Sequence, residues 1–458
     1  MVAATRNGPV GYTSFVHPTA SVATEHFTIG ATSLVDAFVS LEGESAAIGH
    51  GTNLQDNDRL LDHHGDRGVT RGNLTLGDGS FTAHGVTFVG RVRVGDACGT
   101  VINAVVQNAS IGDASIVGFL AQVLGTDPAR PIEIPEASLV KFGARIQSQE
   151  DVAANIIPVP TAFTVFGADV DEENLVLARG YNLLYRAASR QTPFSDQEGD
   201  PRNPGADFPD VEHAFGKLSL APPVLSRRGT GAIPARQATL DDLGLDPRQP
   251  MSPMPTPGIP AAEATPPPDG ADAAARLIAP RVASPELIAD GAIVLGGCEL
   301  AEGVTVGPST YVLGDTAGAV SIGRHTRIGR WSSVHELAFT SCRVGSDCVI
   351  GDRVVLHGPL EIGDHVRIDD GAVLFGPRVA RGVTIGAGAL VFGPGEITED
   401  VTPGAVVVPP GFEGLVASVA HRSELPRRSW MSSMREQWEA ARAVGRGCGC
   451  QLGGLAWV

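Results

Sequence analysis

The chain has 458 residues, 57 of them Gly and 33 Pro, with 43% hydrophobic, 5% aromatic and 19% charged residues and a formal net charge of −17. That length exceeds what one hydrophobic core usually serves, and the apolar content excludes global disorder. So acidic a chain is repelled by nucleic acid and by anionic membranes, which excludes both as expected partners.

Met1 to Pro18 lacks the basic-then-apolar order of a signal peptide, and no run of 18 apolar residues predicts a transmembrane helix. Six Cys are too few for a disulfide scaffold in a chain of this length, so a reduced, cytoplasmic setting is expected. With abundant Gly and few aromatics, the core must use small and β-branched side chains, as solenoids with tight corners do.

An aliphatic-Gly pair recurs along the chain. It stands at Ile29-Gly30, Ile48-Gly49, Leu76-Gly77, Val94-Gly95 and Ile111-Gly112, then at Val306-Gly307, Ile322-Gly323, Ile328-Gly329, Val344-Gly345, Ile350-Gly351, Ile362-Gly363 and Ile385-Gly386. Several intervals are six residues, as from Ile322 to Ile328 and from Val344 to Ile350. Six residues suit one flat strand and a corner, with the aliphatic side chain inward and Gly at the turn. Three such faces close a triangular coil. The pattern predicts an all-β dominated fold of two tandem left-handed parallel β-helices, each followed by a C-terminal α-helix.

In chain order, residues 1–190 hold the first β-helix (16 to about 165) and a helical pattern from Asp171 to Arg190, with Leu175, Leu183 and Leu184 at helical spacing. Residues 191–275 are Pro-rich and without periodicity, the composition of a disordered linker. Residues 276–445 hold the second β-helix and a helix from Ser429 to Val444 (Trp430, Met434, Trp438, Ala441), and 446–458 form a tail containing Cys448 and Cys450. That Cys pair suits metal binding, redox chemistry or merely a flexible end. Cys342 and Cys348, six apart, read as inward-pointing small hydrophobes.

The stretch Ile48-Gly-His-Gly-Thr-Asn-Leu-Gln-Asp56 resembles the Ile-Gly-x-x-Thr-Asn-x-Gln-Asp stretch of gamma-class carbonic anhydrases, and Ile111 to Phe119 and Ile132 to Pro135 resemble the same family. The resemblance implies zinc or iron held by three His between neighbouring β-helices of a trimer, one helix giving a pair and its neighbour the third. In the family a His follows the motif Asn by eight residues, and a His-x4-His pair comes further on. In the first block Leu61 and Val89 replace the outer two ligands, while the middle one remains as His84. In the second block His335 and His357 keep the outer positions, and Asp352 replaces the middle one. With six residues per face, the losses fall on opposite faces and the retained residues are complementary. The implied centre is one hybrid site of His84, His335 and His357. His63 and His64 read as loop residues, either of which substitutes for Leu61 after a local shift.

The same resemblance puts Gln55 where it hydrogen-bonds bound water or bicarbonate, and Glu42 and Glu44 in a loop where the family has an acidic proton shuttle. The family's nearby Arg is missing from Val39-Ser-Leu-Glu, and Val312-Leu-Gly-Asp315 keeps only the Asp. The expected function is zinc-dependent reversible hydration of carbon dioxide to bicarbonate. Two alternatives stand beside it: an inactive gamma-anhydrase-like assembly scaffold, and a hexapeptide-repeat acyltransferase with a His base. The expected assembly is a homo-oligomer with trimer-like packing of β-helices, either alone or with a related partner chain.

Overall fold

The computed structural model describes residues 14–163, 224–225 and 280–424, apart from short interruptions at 18, 31–32, 66–67, 161–162, 315–318, 337–339, 411 and 418–420. The helices expected at 171–190 and 429–444, most of the linker and the tail with Cys448 and Cys450 lie outside the described residues.

The described strands form an all-β parallel solenoid. Strands between Phe15 and Pro158 make an eight-stranded and a nine-stranded sheet; strands from Val224 onward make sheets of nine, seven and five. Almost every pair is parallel. Antiparallel pairing occurs at Ser138–Val140 with Ile156–Pro158, at Val224–Leu225 with Ile293–Gly296, and in the hairpin of His63–Gly65 with Gly68–Thr70. The α-helical turn described is Val152–Asn155.

The aliphatic-Gly pairs explain the stacking. Ile29, Ile48, Leu76, Val94, Ile111 and Ile134 lie in register on successive coils. In the C-terminal half Val306, Ile328, Ile350, Ile368 and Ile385 form the equivalent column. All are buried, and each such side chain stabilises the fold by about 1.5–3 kcal/mol. The glycines that follow are required by space: a Cβ at Gly49 would lie 2.5 Å from the backbone of Gly77, and one at Gly329 would lie 2.4 Å from the carbonyl oxygen of Gly351.

Coil length varies. Val349 pairs with Arg367, eighteen residues on, which is three hexapeptides. Asn53 instead pairs with Phe81, because the hairpin at 63–70 is inserted in that coil. In the N-terminal half, adjoining faces merge, since Ser21–Ile29 and Ser40–Ile48 are nine-residue strands that pair along their whole length.

Each half has its own aliphatic core, and a third buried cluster joins them through Phe119 and Phe142 on one side and Phe375 and Phe392 on the other. At this seam Phe142 N–H donates to the Leu415 carbonyl at 2.7 Å, and Ala417 N–H donates to the Phe142 carbonyl at 3.1 Å. Cys342 and Cys348 are buried, as their spacing implies, and burial pushes both thiols up. Among the described residues no helix is long and apolar enough to cross a membrane.

Candidate metal centre

Strands Ser333–His335 and Val355–His357 are adjacent, with His335 directly opposite His357. The register continues from Leu313 on one side to Phe375 and Phe392 on the other. One column therefore reads Leu313, His335, His357, Phe375, Phe392.

The N-terminal half presents a matching column. Leu54, Thr82, Thr100, Val117 and Val140 pair in succession, and two residues beyond each stand Asp56, His84, Ile102, Phe119 and Phe142. Both columns pass from imidazole to phenyl in the same direction, so imidazole meets imidazole and phenyl meets phenyl across the seam. The His84 ring centroid lies 5.7 Å from that of His335 and 5.5 Å from that of His357, and His335 and His357 are 5.1 Å apart. Each ring offers a ligand atom within 4.8 Å of the other two.

All three imidazoles are buried, at 3%, 6% and 8% exposure for His84, His335 and His357. Burial, with the neighbouring charges of His335 and His84, holds His357 well below the usual imidazole range, so it is neutral at pH 7 and able to act as a ligand. His357 Nδ1–H donates to the Gly358 carbonyl at 3.2 Å, which leaves Nε2 with its lone pair.

His84 is oriented more firmly. Its Nδ1 donates to Asp56 Oδ1 at 2.5 Å, and its buried Nε2 has no hydrogen-bond partner. Burial alone would raise the Asp56 carboxyl, but the charge and hydrogen bond of His84, aided by Asn57, outweigh it and hold Asp56 below the ordinary carboxylate range. Ser333 Oγ reaches Asp56 Oδ1 at 3.4 Å from the C-terminal half. A carboxylate behind a histidine is the usual outer partner of a metal ligand, fixing tautomer and ring orientation. An orphaned Nε2 beside a neutral second imidazole suits a divalent ion of the zinc type.

The other expected residues are placed as follows. Gln55 is half-buried beside Asp56, its backbone N–H donating to Thr82 Oγ1 at 3.4 Å. Glu42 and Glu44 are exposed on the long strand Ser40–Ile48, which belongs to a different sheet from the strand Phe81–Thr82 that precedes His84. Leu61 pairs with Val89 in a different sheet. His63 accepts from Asn108 Nδ2 at 3.1 Å and His64 is exposed, both in the hairpin and outside the cluster. Asp352 is engaged by Arg330 at 2.8 Å.

Sequence reasoning missed the roles of Asp56 and Ser333. Asp56 stands inside the Thr-Asn-Leu-Gln-Asp stretch, but the inserted hairpin hides its equivalence to His84 one coil later. Ser333 carries no sequence signal, because its partner lies in the other half of the chain.

No protein-family model matches the chain, and no curated protein matches it. Among solved structures it is similar to a protein from Desulfovibrio desulfuricans G20 described as a candidate acetyltransferase, at 25% identity over 34% of this chain and 30% of that one, with a TM-score of 0.27. It thus spans under a third of that protein's length. A hexapeptide transferase family protein from Anaplasma phagocytophilum is 20% identical over 37% of this chain and 93% of its own, with a TM-score of 0.25. PerB from Caulobacter crescentus, solved with CoA and GDP-perosamine, is 23% identical over 25% of this chain and 52% of its own, with a TM-score of 0.19. At these TM-scores the likenesses decide nothing about the site.

Proposed function

We propose that the chain is built of two tandem left-handed β-helices, 1–190 and 276–445 with their C-terminal helices, joined by a linker at 191–275. In this reading His84, His335 and His357 together hold one zinc or iron ion, and the reaction is reversible hydration of carbon dioxide. The observation that carries the metal reading is the convergence of three buried imidazoles from two halves of the chain, one of them with an unpartnered Nε2 backed by Asp56. Carbon dioxide as substrate rests on the resemblance of the Thr-Asn-Leu-Gln-Asp stretch.

His84, His335 and His357 would hold such an ion, which when bound would supply Lewis acidity able to bring the pKa of a water to about 7. Asp56 keeps the His84 proton on Nδ1 and so preserves the ligand lone pair on Nε2. Phe375 stacks on the His357 ring at 4.8 Å and gives that side of the centre an apolar wall. Gln55 supplies a hydrogen bond to water or bicarbonate. Glu42 and Glu44, exposed on the strand Ser40–Ile48, would serve as the acidic proton shuttle that the resemblance implies. The centre needs only one solenoid of each kind; trimer-like packing would add a further solenoid, from a second copy or a related chain.

Metal content and carbon dioxide hydration, measured on the full-length protein and its variants, test this. Near-stoichiometric metal is expected, with loss of metal and activity in His84→Ala, His335→Ala and His357→Ala alike. Asp56→Asn should weaken metal binding about 10–100-fold. Wild-type protein that stays metal-free after zinc addition would sink the centre and leave the assembly scaffold or acyl transfer.

Acyl transfer is the second reading, favoured by the neutral state of His357, since a buried neutral imidazole also serves as a general base. The matched solved structures are described as transferases of that kind, which is a statement about those proteins. Saturable acetyl-CoA binding, unaffected by removing metal, would select it.

A further inference from the structure

A second cluster at the seam is made of cations. The Trp331 indole is flanked by three guanidiniums, with Arg330 Cζ at 4.9 Å, Arg353 Cζ at 5.3 Å and Arg59 Cζ at 5.6 Å from the ring centroid. Arg59 belongs to the strand Arg59–Leu61 of the N-terminal half; the other three residues belong to the C-terminal half. Trp331 and Arg353 occupy equivalent corners of neighbouring coils, both with positive φ (54° and 57°), and Arg353 N–H donates to the Arg330 carbonyl at 2.9 Å. The coil repeat therefore stacks a guanidinium over an indole, and docking of the two halves adds the third cation.

The cluster is not electrically balanced. Arg330 is paired with Asp352 at 2.8 Å. Among the described residues no carboxylate lies within ion-pair distance of Arg59 or Arg353. Arg59 is half-buried, and burial, with the charge of Arg353, pushes its pKa down. Three positive groups against one negative stand out in a chain of net charge −17. The indole face attracts guanidinium, but it offers no acceptor. Indole N–H and guanidinium N–H groups are all donors, so beyond the Asp352 carboxylate, which Arg330 engages and whose field Arg353 shares, the three guanidiniums and the indole bring donors and no side-chain acceptor. A small anion with several oxygens supplies both the missing charge and the missing acceptors, and a forked guanidinium suits it geometrically.

We infer that Arg59, Arg353 and Trp331 form a binding site for a small oxyanion at the seam, adjacent to the histidine cluster and separate from it. Arg59 stands three residues after Asp56 and Trp331 two before Ser333, so the two sites share coils without sharing side chains. The inference does not depend on metal at the histidines. Phosphate and bicarbonate share the required chemistry.

Full-length protein is titrated by calorimetry and tryptophan fluorescence with sodium phosphate, sodium bicarbonate and, at equal ionic strength, sodium chloride. Saturable binding of phosphate or bicarbonate, but not chloride, is expected, and the preferred ion identifies the source. Arg59→Gln and Arg353→Gln should each weaken it by about tenfold or more, as for a lost charge-assisted hydrogen bond. Arg59→Lys, which keeps the charge but not the fork, should weaken it less. Trp331→Phe should keep the calorimetric signal and lose the fluorescence change. His84→Ala should bind the oxyanion normally, which separates this site from the metal centre. Unchanged melting temperatures show that the variants fold. Absence of saturable oxyanion binding, or binding indifferent to both Arg→Gln variants, overturns the inference and leaves the cluster as cation–π packing.

Discussion

His17 is almost fully buried, its ring edge-on to Phe15 at 5.9 Å and to Tyr311 at 6.2 Å, with Nδ1 accepting from the Thr19 backbone N–H at 3.1 Å. Burial pushes its pKa down to about 3, against a smaller upward pull from Asp56. Unfolded, the same imidazole binds a proton at its ordinary value of 6.5. Between those values the unfolded state holds more protons, so stability rises with pH across this window and is flat above it. The cost at the acid end is on the order of 5 kcal/mol. Urea unfolding at pH 7.5, 5.5 and 4.5 should show a falling midpoint, and His17→Leu should flatten the fall; equal slopes would refute the assignment. Sequence reasoning did not single out His17, since nothing local marks a histidine that the fold will dehydrate. His84, His335 and His357 were legible because they could be counted from a motif. Asp56 lies in that motif too, yet its role in orienting His84 depends on a coil lengthened by an inserted hairpin.

Corners limit the element more than strands do. A Cβ on Gly323 would stand 2.5 Å from the backbone of Gly345 and Ser346, atoms that cannot yield without separating two coils. Gly414 has nothing within 4 Å of the same position. Gly323→Ala is therefore expected to lose about 1–3 kcal/mol by overpacking, while Gly414→Ala stays within about 0.5 kcal/mol, as read by denaturant midpoints. The aliphatic-Gly pairs announced these corners and the inward columns. What they did not announce is the merging of adjoining faces along Ser21–Ile29 and Ser40–Ile48, or the hairpin at 63–70. A six-residue rule says where a side chain points, and not whether the chain turns sharply or rolls through a corner.

At the scale of the molecule, Phe27 and Phe88 sit inside the N-terminal core, while six other phenylalanines gather at the seam. Phe119, Phe142 and Phe163 meet Phe375, Phe392 and Phe412, with Phe392 within 5.2 Å of Phe119 and 5.3 Å of Phe142 between ring centroids. Phe392→Ala should cost about 3–5 kcal/mol and lower metal retention after dialysis, because the column that carries His335 and His357 would lose its apolar anchor. A variant that is destabilised yet keeps its metal would contradict the coupling. The seam was not legible in the sequence. Each Phe reads locally as an ordinary outward position on a solenoid face, and only docking of the two halves gives it a partner.

The pair His335 and His357 and the single His84 travel on one polypeptide. Their encounter is therefore intramolecular, governed by an effective concentration of order millimolar rather than by how much protein is present. A histidine cluster divided between separate subunits comes apart on dilution, whereas His84, His335 and His357 meet within one chain. Covalent continuity also means that the two halves are always synthesised in equal number, so neither share of the histidine cluster is ever left over.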